Sequence, residues 1–177
     1  MAPGDILHRF YGLNRGPIYY DPGDGGRFNA PDGSYGVLYC AKTIRGAFAE
    51  TFLRHPGRRL LPEDLITQKG CVRIRVAAKL ELVRFSGPGL AILGATAEVT
   101  HAGLPYDVPQ AWSSALHGHP ATLAGMEYRS RHDDDEACYA VFERAKPAIE
   151  EHDRTTDLLS AAWFWQVMDH YEVGLAP

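Results

Sequence analysis

The chain has 177 residues, 45% of them hydrophobic and 23% charged, which is enough apolar content for one sizeable core and far from the composition of disordered chains. A formal net charge of -4, from 18 Lys and Arg against 22 Asp and Glu, excludes the overall basic field of a nucleic-acid binder while leaving room for a local arginine cluster that holds a small anion. The opening MAPGDILHRFYG lacks the regions of a signal peptide, and no stretch approaches the ~20 apolar residues of a membrane span, so the sequence predicts a cytoplasmic chain without membrane contact. Cys40, Cys71 and Cys138 stand far apart beside apolar neighbours, as buried reduced thiols do.

Residues 13–36, LNRGPIYYDPGDGGRFNAPDGSYG, are crowded with Gly, Pro, Asp and Asn and predict a wrapped loop. Gly36 to Ala41 then reads as a short buried strand, followed by a helix capped by Thr43 and running to about Arg54, with Ala47, Phe48 and Phe52 toward the core. Alternation from Cys71 to Phe85 marks one or two strands. Asp107 is expected to cap the helix DVPQAWSSALHGH, which carries Pro109 in its first turn. Met126 to Ser130 and Ala137 to Phe142 read as strands joined by the acidic turn HDDDE, and LLSAAWFWQVMDHYEVGL as a last helix and a short strand. No repeat or linker interrupts the chain, and 1–177 is expected to be one domain of mixed α+β class.

Four positions could carry chemistry. Arg27 lies in Gly25-Gly26-Arg27-Phe28-Asn29, where its planar fork of donors suits phosphate oxygens and the glycines allow close approach. Neither GxGxxG nor GxxxxGK[ST] is present, so a phosphate bound here is held by side chains and an irregular loop. Glu50 sets a carboxylate into an apolar helix run, a costly place unless paired or used. Tyr39 at the strand end is either core or a stacking platform for a flat heterocycle. Ser130, between Arg129 and Arg131, offers a hydroxyl to a ribose or phosphate. His117 and His119 lack a third ligand at metal spacing, and residues 133–136 lack the pattern of a calcium loop, so no metal is expected. Trp163, Phe164 and Trp165 are core or a partner-facing patch.

Arg, Glu and Ser in this order, carried by GGRFN, GVLYCAKTIRGAFAETFLR and GMEYRSR, resemble the RES-domain family, which is named after those residue types. The likeness runs from about His8-Arg9 to the C-terminus. It departs from the family pattern at Arg129, where Pro is common, and in the longer acidic turn after Arg131. The resemblance implies an ADP-ribosyltransferase-like sheet core flanked by helices, one RES domain over 1–177, and consumption of NAD+ by hydrolysis, phosphorolysis or transfer of ADP-ribose. It makes Arg27, Tyr39, Glu50 and Ser130 the catalytic set, with Arg9, Arg27, Tyr39 and Ser130 binding the substrate. Family membership further implies the toxin half of a type II toxin–antitoxin pair, with an Xre-like helix-turn-helix antitoxin as partner. A protein-modifying ADP-ribosyltransferase and a catalytically silent antitoxin-binding module are the alternatives, and homodimerisation is compatible with a domain of this size.

Overall fold

In a computed structural model that describes residues 1–176, the chain forms, in order, β1 (Ile6–Gly12), β2 (Val37–Ala41), α1 (Ile44–Phe52), β3 (Leu60–Leu61), α2 (Glu63–Thr67), β4 (Lys69–Val76), β5 (Leu82–Phe85), α3 (Pro88–Ile92), α4 (Glu98–His101), α5 (Asp107–His117), β6 (Gly125–Arg129), β7 (Ala137–Phe142), a 3-10 turn (Glu143–Ala148), β8 (Ile149–Thr155), α6 (Ala162–His170) and β9 (Gly174–Leu175). Seven strands make one mixed sheet in the order β5-β6-β7-β2-β1-β4-β8, and β3 pairs with β9 separately. The class is mixed α+β, a seven-stranded sheet flanked by helices. No helix among the described residues is long and apolar enough to cross a membrane.

The two apolar faces of the sheet bury separate clusters. One gathers Phe10, Phe48, Phe52 and Phe164 under α1 and α6, and the other Leu7, Leu38, Val72, Ile74 and Val141. Phe10 meets Phe48, Phe52 and Phe164 edge-on with centroids 5.1 to 6.3 Å apart, the geometry that aromatic quadrupoles favour. Ala47, Phe48 and Phe52 are buried, as their helical spacing predicts. The three cysteines are buried and free.

The segment 71–85, expected as one or two strands, is two, and they lie in different halves of the sheet: β4 pairs with β1 and β8, whereas β5 pairs in parallel with β6. Other details differ from expectation. Helix α1 stops at Phe52, because the Arg54 side chain folds back and Nε donates to the Glu50 carbonyl at 2.7 Å, satisfying a terminal acceptor. Tyr106, not Asp107, occupies the cap position of α5, and Asp107 instead places its charge in the first turn. The acidic turn is only partly solvated: Asp133 accepts from the Tyr171 hydroxyl, and Glu136 from Thr43.

The junction of β1 and β2 positions the site. These neighbours share a single register pair, His8↔Ala41, after which they part. The four strands on the β2 side and the three on the β1 side thereby frame an opening in the middle of the sheet. Arg9 partly closes the ladder, its Nη1 donating to the Tyr39 carbonyl at 2.7 Å.

Candidate active site

A cleft of about 570 Å³ enters at this split and is lined by Arg9, Arg27, Tyr39 and Glu50 among others. Seven Lys and Arg side chains face it, against the two carboxylates Asp21 and Glu50, so a chain of net negative charge concentrates positive potential in one concavity.

The residue-dense loop 13–36 has no helix or strand of its own, only an isolated bridge between Asp21 and Val37. Side chains from other elements hold it. The Tyr39 hydroxyl donates to Asn29 Oδ1 at 2.8 Å and accepts from the Phe28 amide at 2.9 Å. Gln110 of α5 donates to the carbonyls of Asp24 and Gly26, and Ser113 donates to the Phe28 carbonyl at 2.6 Å. A side chain at Gly26 would put its Cβ 2.7 Å from the Tyr39 hydroxyl. That is why the segment tolerates only hydrogen there. Burial pushes the Tyr39 phenol up, so it stays protonated and able to donate.

Arg27, carried by that loop, is 8% exposed. Its Nη1 donates to the Thr100 carbonyl at 2.7 Å, Nη2 lies 3.9 Å from Glu50 Oε2, and the guanidinium sits 5.5 Å from the Tyr128 ring centroid. From α1, Glu50 turns into the cleft with a fifth of its side chain exposed. Its other oxygen accepts from Ser130 Oγ at 2.7 Å, and the His132 amide donates to that same hydroxyl at 3.1 Å. Ser130 is fully buried just past the end of β6. Burial holds the His132 imidazole below its usual range, with the Glu50 charge opposing the shift.

Arg9, Arg27, Tyr39 and Glu50 thus line one cleft, with Ser130 buried behind it on Glu50, and their contacts differ from those expected of the isolated residues. Ser130 spends its hydroxyl on Glu50, and Tyr39 spends its own on the arginine loop. Arg27 faces the carboxylate and the Thr100 carbonyl of α4. Nothing in the sequence marked Thr100, Gln110, Ser113 or Tyr128 as supports, because each acts across more than 70 residues of chain or through packing alone. His132 and Arg54 lie two residues after Ser130 and one helical turn after Glu50, a proximity that spacing does reveal. Among the described residues no group of three or more His, Cys, Asp or Glu is placed to hold a metal ion.

An arginine loop, a strand tyrosine, a helix glutamate and a buried serine, gathered where a mixed sheet splits, define a domain of the Arg-Glu-Ser type. Residues 6–163 match the RES domain family, and the chain belongs to that family. The fold is similar to that of a chain in the crystal structure of the M. tuberculosis MbcT–MbcA toxin–antitoxin complex, with a TM-score of 0.72, 14% sequence identity, and coverage of 94% of this chain and 90% of that one. No curated protein matches the sequence.

Proposed function

We propose that this RES domain cleaves the nicotinamide–ribose bond of NAD+, with water or inorganic phosphate as acceptor, and that it acts as the toxin of a toxin–antitoxin pair restrained by an Xre-like helix-turn-helix protein. What supports this most directly is one carboxylate, Glu50, held by Ser130 and Arg27 inside a cleft otherwise dominated by cations. The fold shared with a chain of a toxin–antitoxin complex supports the cellular role.

Nicotinamide is a cationic leaving group that departs neutral once the C1′–N bond breaks and its electron pair passes to the ring nitrogen, so protonation of the leaving group is unnecessary. Positive charge then grows on the ribose. A preplaced carboxylate stabilises that charge more than it stabilises the ground state, which is how differential binding lowers a barrier. Glu50 takes this role. Ser130 and Arg27 fix its two oxygens, Tyr39 fixes the loop that carries Arg27, and Arg9 meets the phosphates. The acceptor oxygen attacks C1′ and releases its proton to solvent.

The test is incubation of purified protein with NAD+ and quantification of nicotinamide, with and without inorganic phosphate, together with NAD+ labelled in its adenylate half. Free ADP-ribose or its 1″-phosphate supports cleavage. Label retained on protein would replace it with ADP-ribosyl transfer, and absence of nicotinamide with NAD+ still bound would leave a silent module.

A further inference from the structure

Of the seven cations that line the cleft, only Arg27 has a counter-ion among the described residues; Arg15 lies over the Tyr19 ring and Arg131 donates to the Ala102 carbonyl, while Arg9, Arg54 and Lys69 form a group drawn from three neighbouring segments. Arg9 comes from β1, Arg54 from just past the end of α1, and Lys69 from the start of β4. None forms an ion pair among the described residues, although the exposed arginines 73, 75 and 84 all do. Arg9 spends Nη1 on the Tyr39 carbonyl and keeps a buried Nε without a partner. Arg54 spends only Nε, on the Glu50 carbonyl, and the Lys69 ammonium makes no hydrogen bond among the described residues. The two carboxylates of the cleft are committed elsewhere: Glu50 to Ser130 and Arg27, and Asp21 to the Gly23 amide at 3.1 Å.

The three charges are close enough to repel one another. Burial first, then Arg54 and Arg9, hold the Lys69 ammonium below its usual value, and burial does the same to the Arg9 guanidinium. Arg9 and Lys69 are partly buried and Arg54 is exposed at the rim; uncompensated like charges gathered this way cost stability unless an anion of matching charge enters. A single phosphate offers one tetrahedron to one or two donors. Three cations on three separate elements, two with forked donors, match two linked phosphates.

We propose that Arg9, Arg54 and Lys69 form a diphosphate subsite, so that the cleft selects a diphosphate ester and Arg27 stays with Glu50 at the reacting end. The identity of that ester as NAD+ rests on the function proposed above; the subsite itself does not. Arg54 lies just past the end of α1, and its Nε bond to the Glu50 carbonyl holds its guanidinium beside the residue that carries the carboxylate. Lys69 is opposite Gly12 across the β1/β4 ladder, beyond the point where β1 leaves β2. The subsite therefore spans the mouth of the split.

The test is titration calorimetry of the full chain with inorganic pyrophosphate, ADP and AMP, for wild type, Lys69→Met, Lys69→Arg and Arg54→Met, with circular dichroism checking the fold. Wild type should bind ADP and pyrophosphate more tightly than AMP. Lys69→Met and Arg54→Met should each weaken ADP and pyrophosphate about tenfold, the worth of one charge-assisted contact, and Lys69→Arg should restore binding. Equal affinity of folded Lys69→Met and wild type for pyrophosphate and ADP, or no binding of either by wild type, overturns the subsite. If the subsite binds as described while no nicotinamide is released, the subsite stands and NAD+ cleavage fails. If nicotinamide is released and Lys69→Met leaves KM for NAD+ unchanged, cleavage stands and the subsite fails.

Discussion

Ser130 Oγ donates to Glu50 Oε1 at 2.7 Å, joining the end of β6 to the last turn of α1 across 80 residues of sequence. The serine is wholly buried, so under the proposed function its part is to orient the carboxylate. Ser130→Ala should lower kcat for nicotinamide release about 10- to 100-fold while KM moves little, because misplacing a reacting group by a fraction of an ångström carries that scale of loss. A rise in KM at constant kcat would assign Ser130 to ground-state binding of the substrate.

Tyr39 separates two roles that removing its hydroxyl can tell apart. If its work is holding Asn29 and the Phe28 amide, Tyr39→Phe leaves a buried N–H without its acceptor and costs about 1–3 kcal/mol. That corresponds to a fall in Tm of roughly 2–4 °C per kcal/mol for a chain of this size. Activity should fall with it as the Arg27 loop loosens. Retention of both Tm and activity would mean that the ring, not the hydroxyl, matters.

Gly26→Ala tests the same network from the other side. The added methyl meets the Tyr39 hydroxyl and the Asn29 amide, and overpacking of this kind costs about 1–3 kcal/mol. Differential scanning calorimetry should show a lower Tm, whereas Gly25→Ala, with nothing within 4 Å of the new methyl, should show almost none. Equal effects at the two positions would contradict the packing described.

Stability should fall as pH drops below neutrality. His8, His117 and His132 are each held below the ordinary histidine value of 6.5, first by burial. A depressed histidine means that the unfolded chain binds more protons than the native one, so stability is lost as pH falls through 6.5 toward the folded-state values. Tm measured from pH 8 to 5.5 should decline across the lower half of that range, and His132→Gln should reduce the decline. A flat or rising Tm would refute this linkage.

Short-range signals in the sequence were readable: the strand at Val37–Ala41, the Thr43 cap, the aromatic face of α1, the wrapped loop and the terminal helix and strand all follow local patterning. Strands β1, β3 and β8 were not. β1 alternates poorly because Arg9 and His8 serve the cleft, and β8, IEEHDRT, has the composition of a solvated loop. It becomes an edge strand because Arg75 pairs with Glu150 at 2.6 Å and Arg73 with Asp153 across the β4 ladder. Candidate site residues were legible as types, yet their contacts were not, since Ser130 with Glu50 and Arg27 with Thr100 depend on sheet order. Separation of β4 from β5 by four intervening strands is likewise a tertiary choice that alternation leaves open.

Glu50 carries the central claim, and its carboxylate differs from an amide of the same shape only in charge. Nicotinamide released from NAD+ by Glu50→Gln, compared with wild type at equal folded concentration, is therefore the most direct measurement. The account predicts a loss of at least about 100-fold in kcat, the scale seen when one preorganised electrostatic group is removed, with NAD+ still bound. Wild-type release from a folded Glu50→Gln protein would contradict it.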